Sequence, residues 1–291
     1  MNFSKYLFRC SSLGHLMTEP KGKKNLEKYN DAFDLLGKLK VELLTLPEFN
    51  KDGKTPNKNR INKLAKIEEQ EKIVLELEKI KDEVQLSDSA LTHLIDCYVS
   101  AKYGRNTDIS NKYLVKGNQV EEDSITLFSR VNKQFFKKNE DRIANDFIIG
   151  TPDLYLGNSI LNAEHIIDIK SSWDIFTFFR NKNKDVKSLY YWQLQGYMAL
   201  TGAKSSTLAY CLTNTPNPLI FEEKKRLLWK MGVNEDDENY IKACDEIDRL
   251  SIYDDIPIEE RVMTFDIERN DDDIEMIYKK VNAAREYLNS I

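Results

Sequence analysis

Two short stretches hold residues that could do chemistry together. They are Gly150-Thr-Pro-Asp153 and Ile166-Ile-Asp-Ile-Lys170. The strand period of two puts Asp168 and Lys170 on one face of the second stretch and Ile167 and Ile169 on the other. Pro152-Asp153 lies on the preceding β-like run, within reach across a hairpin. Two carboxylates brought together repel, so one protonates unless a cation neutralises them. Hard oxygen ligands suit Mg²⁺ or Mn²⁺. A metal held there lowers the pKa of a bound water and polarises a phosphoryl oxygen. A lysine beside it orients that water or offsets the charge that builds on a phosphorane. A plain Asp168–Lys170 salt bridge on an exposed strand would leave the same pattern.

Two further groups flank this pair. In Lys116-Gly-Asn-Gln-Val-Glu121-Glu-Asp-Ser-Ile125-Thr-Leu-Phe128, helical spacing puts Glu121, Ile125 and Phe128 on one stripe. A carboxylate on an apolar stripe is costly to bury unless it is paired or metal-bound. Glu121 is thus a third candidate ligand, and Glu122 falls closer to the polar face. The alternative is that Glu121 only borders the core. Downstream, Gln193 and Tyr197 share a helical face at i,i+4. An amide and a phenol there could hold a lysine, a carboxylate or a phosphate, or simply belong to a partly buried aromatic helix.

The order is helix Glu, strand Pro-Asp, strand Asp-x-Lys, then helix Gln-x-x-x-Tyr. It resembles the PD-(D/E)xK nuclease superfamily, and the last element narrows the likeness to the RecB-like and phage-exonuclease branch. KGNQVEEDSITLF resembles the motif of the lambda-exonuclease-like, YqaJ-type viral recombinase nucleases, in which a glycine precedes the metal-binding glutamate by four residues. By that resemblance Gly117 and Glu121 take those places. Asp153 and Asp168 are the strand acids that hold metal, the main-chain carbonyl of Ile169 completes the ligand set, and Lys170 is the catalytic lysine. Gln193 and Tyr197 support the lysine and the phosphate. Arg9-Cys-Ser11-Ser12 resembles the family's opening element, which makes Arg9 and Ser12 contacts to a DNA phosphate, with Ser11 as the other candidate for the serine.

The resemblance spans residues 4–20 and 110–215, with a weaker echo in the last strand and helix. Asp168 stands where the family often has Glu, and residues 21–109 are longer and more helical than in the lambda enzyme. It implies a restriction-endonuclease-like α/β (α+β) core and hydrolysis of DNA with Mg²⁺ or Mn²⁺, two ions in number. The substrate would be double-stranded DNA ends, degraded 5′ to 3′ to leave 3′ single strands for an annealing protein in recombination or repair. It also implies a homo-oligomer, a ring trimer in the family, and the host cytoplasm if the source is viral. The same site would serve an endonuclease, a RecB-like helicase partner or a CRISPR-adaptation nuclease. The last usually carries a four-cysteine iron–sulfur cluster, and Cys10, Cys97, Cys211 and Cys244 lie too far apart in sequence for one. No G-x-x-x-x-G-K-S/T motif is present, so the chain carries no motor of its own. A DNA-binding protein on a retired nuclease fold is the non-enzymatic reading, and the full set of charged residues argues against it.

The elements that must position these groups follow from periodicity. Residues 24–46, 60–85 and 88–103 read as helices, with Ser87 as a cap and Gly104 as a stop. Residues 112–139 read as helix. Residues 146–156 and 160–173 are β-like runs split at Gly157-Asn158. Residues 188–200, 222–231, 238–250 and 271–290 read as helices, and 206–213 and 262–267 as strands. This mixture predicts a mixed sheet flanked by helices. The expected domains are an N-terminal element of the core (1–20), a helical arm (21–109) and the nuclease core with an acidic C-terminal region (110–291).

Composition sets the outer bounds. The chain has 291 residues, 41% of them hydrophobic, enough for a sizeable core. No apolar run approaches the roughly 20 residues of a membrane span, and the first residues lack the pattern of a secretory leader. A reducing cytoplasm is the expected compartment. The net charge is −5, but from Glu222 to Ile291 there are 20 acids against 11 bases. The remainder is net basic and open to a polyanion.

Overall fold

The computed structural model describes residues 2–106, 116–117, 119–182 and 184–291. The expected start of a helix at 112 and the domain boundary at 109/110 lie outside the described residues. The chain forms two compact units, Thr18–Leu91 and Met1–Met17 with Thr92–Ile291.

The smaller unit is built on helices α2 (Asn25–Leu44) and α3 (Lys58–Ile80). Ala32, Leu36, Ile67 and Val74 form its buried seam. Gln70 donates across it to the Ala32 carbonyl at 3.0 Å, and Arg60 donates to the carbonyls of Leu43 and Leu46. Asn57 caps α3 by accepting from the Asn59 N–H. On α2 the small Ala32 and Leu36 sit in the seam, whereas the larger Leu26 and Phe33 are exposed. Ser87 caps α4 (Asp88–Tyr103) by accepting from Ala90, and Gly104 ends it at φ 64°.

The larger unit is a mixed α/β fold with, among its described residues, two sheets. In the first, β3 (Ile148–Gly150) lies between β1 (Phe8–Arg9) and β2 (Ile143–Ala144), parallel to β1 and antiparallel to β2. In the second the order is β4 (Leu154–Leu156), β5 (His165–Ser171), β6 (Ser205–Cys211) and β7 (Val262–Glu268). β5 and β6 are parallel, as a helical crossover between them requires, while β4 and β7 run antiparallel to their neighbours.

The expected single run over 146–156 is thus two strands in two sheets. In the β4–β5 register Leu154 faces Ile167, so Pro152 would come opposite Ile169. Proline has no N–H to give to a ladder, and the pairing stops there. The expected long helix to 139 also ends sooner: the helix described there, α5, is Glu121–Val131, and Lys133 turns the chain at φ 52°. Helix α8 (Asn217–Met231) begins earlier than periodicity suggested, just after Pro216.

Period two on β5 decides which helix packs where. Ile167 and Ile169 join Ile125, Leu127 and Phe128 of α5 in one core cluster. After helix α6 (Ile175–Arg180), the other face of the strand meets helix α7 (Ser188–Thr201), whose Leu194 and Met198 are fully buried. The short helix α1 (Leu13–Leu16) packs on α7 through glycines. A Cβ on Gly14 would sit 2.5 Å from the Leu189 Cα, and one on Gly196 2.7 Å from Leu13 Cδ1.

This contact generates a paired prediction. Gly14→Ala must move a helix backbone and should cost about 1–3 kcal/mol. Gly37→Ala, on an exposed turn of α2 with nothing within 4 Å, should be neutral or stabilise by up to ~1 kcal/mol. Denaturant titration of the two variants against the parent checks both signs.

Candidate active site

Asp168 is the deepest of the candidate groups, 1% exposed on a central strand. Its Oδ1 accepts from Gln193 Nε2 at 3.0 Å, and its Oδ2 meets Lys170 Nζ at 2.5 Å. Apart from that ion pair, Oδ2 is sealed from solvent without a hydrogen-bond partner. The exposed-strand salt bridge is therefore the wrong picture. This pair is internal, and only Lys170 reaches solvent, at 24%. Burial works against the Lys170 charge, but Asp168 and then Asp153 outweigh it, so its pKa is raised and it stays an ammonium.

Gln193 uses both amide hydrogens, one on Asp168 and one on the Tyr197 hydroxyl at 3.0 Å. Tyr197 accepts there and keeps its own O–H free to donate. Burial, then the charges of Asp168 and Asp153, push its pKa far up, so the phenol remains protonated. Gly150 makes room for this ring, since a Cβ there would lie 2.6 Å from Tyr197 Cε1.

Asp153 occupies the gap left where β4 begins. Its Oδ2 accepts the Ile169 N–H at 2.7 Å, in the place of a ladder carbonyl. A strand residue turns its N–H and C=O to the same side, so the Ile169 carbonyl faces the same open edge. Asn139 fastens the loop from behind: its side chain donates to the Pro152 carbonyl and its N–H to the Asp153 carbonyl, both at 2.8 Å. Burial, then Asp168, raise the Asp153 pKa to about 7.

Glu121 stands apart from this cluster. It opens α5, its side chain is 31% exposed, and it pairs with Lys138 at 2.8 Å. Its charge still reaches Asp153. The expected three-acid metal group is not assembled: among the described residues no three His, Cys, Asp or Glu side chains could hold one ion between them. The reason is electrostatic. Without a cation between them each acid has its own partner: Lys138 for Glu121, Lys170 for Asp168 and a backbone N–H for Asp153. The donor set nevertheless fits a hard cation. It offers carboxylate oxygens, one of them buried with only the Lys170 ion pair, beside an acid whose pKa is raised by burial and then by its neighbour.

The N-terminal residues fall beside this cluster. Strand β1 pairs Arg9 with Ile149, and a cleft of about 340 Å³ is lined by Arg9, Ser11, Arg142, Thr151 and Tyr197 among others. Ser12 does not line it; its hydroxyl turns back to donate to the Arg9 carbonyl at 3.0 Å. Ser11 is the serine in place. Sequence reasoning missed Arg142, Thr151, Lys138 and Asn139. Thr151 carried a signal, lying within the Gly150–Asp153 run, whereas Lys138 and Asn139 lie in no motif run. Arg142 carried none: it precedes β2, whose antiparallel pairing with β3 sets it on the same sheet as Arg9.

The raised Asp153 pKa predicts a pH dependence of stability in metal-free buffer. An acid with a folded pKa above its unfolded value binds more protons when folded, so stability falls as pH rises between about 4 and about 7. Denaturation midpoints should decline across that window, and Asp153→Asn should flatten the profile. A midpoint that rises with pH there, and does so equally in the variant, would contradict the assignment.

No protein-family model and no curated protein matches the chain. Solved structures do. A phage-related exonuclease from Haemophilus somnus 129PT aligns at TM-score 0.62 and 24% identity, over 98% of this chain and 95% of its own. The alkaline exonuclease LHK-Exo from Laribacter hongkongensis aligns at TM-score 0.48 and 16% identity, over 71% and 83%. Its complex with dAMP gives 0.47 and 18%, over 69% and 80%. Along nearly its whole length, the chain has the fold of the phage-related exonuclease, the fold that its own motifs resemble.

Proposed function

We propose that this chain is a metal-dependent deoxyribonuclease that shortens linear duplex DNA from its 5′ ends, leaving 3′ single strands for recombination or repair. The observation that carries the reading is the meeting of Asp153, Asp168, Lys170, Gln193 and Tyr197 beside a cleft lined by two arginines. Asp153, Asp168, Glu121 and the Ile169 carbonyl would hold Mg²⁺ or Mn²⁺, one ion or two, which supplies an activated water and neutralises phosphoryl charge.

The chain's own residues do the rest. Lys170, kept protonated by Asp168, orients the attacking water and offsets charge on the phosphoryl oxygens. Gln193 locks Asp168 and Tyr197 into one unit, and the free Tyr197 O–H donates to the phosphate. Arg9, Ser11 and Arg142 grip a terminal phosphate in the adjoining cleft, where a guanidinium matches phosphate geometry. Ends, rather than internal sites, are then the natural substrate. The annealing partner, a homo-oligomeric ring and work in a reducing cytoplasm belong to the same reading. No helix among the described residues is long and apolar enough to cross a membrane.

A Mg²⁺-dependent digest of matched linear and closed circular duplexes tests it. Linear DNA should disappear and circular DNA persist. Lys170→Ala should slow the reaction by at least ~100-fold while metal binding, read by calorimetry, stays within a few-fold. Cutting of the circle would mean an endonuclease on the same site, and DNA binding without any cutting a retired one. In the same assay Arg142→Ala should bring kcat/KM on 5′-phosphate ends down toward that on 5′-hydroxyl ends. A preference that survives the substitution would remove the terminal-phosphate role.

A further inference from the structure

A second cleft, of about 320 Å³, opens on the other groups around Lys170. It shares no lining residue with the Arg9–Arg142 cleft. Two of its lining groups are unusual. Lys116 is 1% exposed, and its ammonium donates to two neutral partners, the Trp173 carbonyl at 2.7 Å and the Thr215 hydroxyl at 3.0 Å. An ammonium has three N–H donors, so one is left without an oxygen to bond, with the ring centroids of Trp173 and Tyr253 at 5.6 and 6.0 Å. Burial pulls its pKa down to about 8, with the more distant charge of Asp174 opposing. Ser172 is 3% exposed, and its hydroxyl has no hydrogen-bond partner among the described residues. A buried polar group left without its hydrogen bonds is costly to keep, and the nuclease chemistry described above uses neither.

Lys170 and Lys187 line the same cleft, both set over the ring of Tyr190, at 5.3 and 5.7 Å from its centroid. Three ammonium groups, a spare hydroxyl and an aromatic face in so small a space select a compact oxyanion joined to something flat. A nucleic-acid backbone offers that combination. We propose that this cleft is a second phosphate subsite. It takes the backbone phosphate one step 3′ of the scissile one, while the Arg9–Arg142 cleft takes the terminal phosphate on the 5′ side. The inference rests on the nuclease reading and deepens it. A cut strand would be held on both sides of Lys170, which fixes its register as well as its end.

The test is binding of a 5′-phosphorylated linear duplex, with Ca²⁺ in place of Mg²⁺, read by fluorescence anisotropy. One charge is removed from the phosphorylated strand by a methylphosphonate, placed at the second or at the fourth linkage from the 5′ end. The parent should lose about tenfold in affinity for the second position and little for the fourth. Ser172→Ala and Lys187→Ala should each shrink that penalty to threefold or less, because the group it depends on is already gone. Lys116→Met should do the same, and the two milder variants keep the test usable where that one does not fold. A penalty unchanged in the variants, or absent in the parent while the ordinary duplex binds well, overturns the subsite and leaves the nuclease reading standing. A parent that binds no duplex overturns both.

Discussion

A carboxylate buried at the centre of a sheet is the constraint from which the rest of this site follows. Asp168 is all but sealed from water, and an unpaired charge there would be too costly to keep. Lys170 answers it from two residues along the same face, and Gln193 answers it from the helix packed on that face. Neither partner can be placed without the rest of the fold. Lys170 needs β5 held flat between β4 and β6. Gln193 needs α7 close enough for a short amide to reach, and the glycines at 14, 150 and 196 permit the tight packing around that helix. Breaking one member would leave buried donors or charges unmet.

The period of two on β5 separates chemistry from cohesion. Ile167 and Ile169 seal the core under α5, while Asp168 and Lys170 turn to α7. The cohesive face gains mainly from burial of Ile167 and Ile169, with one Ser124–Ser171 hydrogen bond at 2.7 Å beside them. The chemical face depends on named hydrogen bonds. Pro152 then adds a deliberate defect: by ending β4 early it leaves the Ile169 amide without a ladder partner, and the Asp153 carboxylate takes that place. A backbone need thereby positions a functional side chain, and the same gap leaves a carbonyl facing the site.

Much of this was legible in the sequence because it depends on local period. The Asp-x-Lys face, the Gln193–Tyr197 spacing, the capping Ser87 and the stop at Gly104 are rules over a few residues, and the structure bears them out. Three kinds of feature were not legible. The break between β3 and β4 was hidden because the residues around Pro152 stay β-like on both sides. The strand at Phe8–Arg9 is too short to show a period, yet its pairing with Ile148–Ile149 is what carries Arg9 to the site. Arg142 is a single basic residue with no spacing to mark it, and Lys116, though it opens the run to Glu121, gains its partners Trp173 and Thr215 only by long-range packing. Glu121 sits between these cases. Its stripe with Ile125 and Phe128 was readable, but spacing could not say that Lys138 would hold it.

That pairing bears on how a metal would be taken up in the reading proposed above. The acids are not equally committed. Asp168 is buried, bonded through both oxygens to fixed partners, and cannot turn without disturbing the sheet and α7. Asp153 is tied to a backbone amide by one oxygen. Glu121 is held by a half-exposed lysine, and a pair of that kind is worth only about 1 kcal/mol or less. In that reading the strand acids would be ligands already fixed in position, with Asp168 Oδ2 shared between the ion and Lys170, and Glu121 would have to be released by Lys138. The part of the cost that falls on Glu121 is small, because its ion pair is weak. The freed Lys138 would then stand beside the same edge as a further cation for the substrate. A protein of net negative charge can bind a polyanion in this way, because its excess of acid lies in residues 222–291, with 20 acids against 11 bases, while the rest of the chain is net basic.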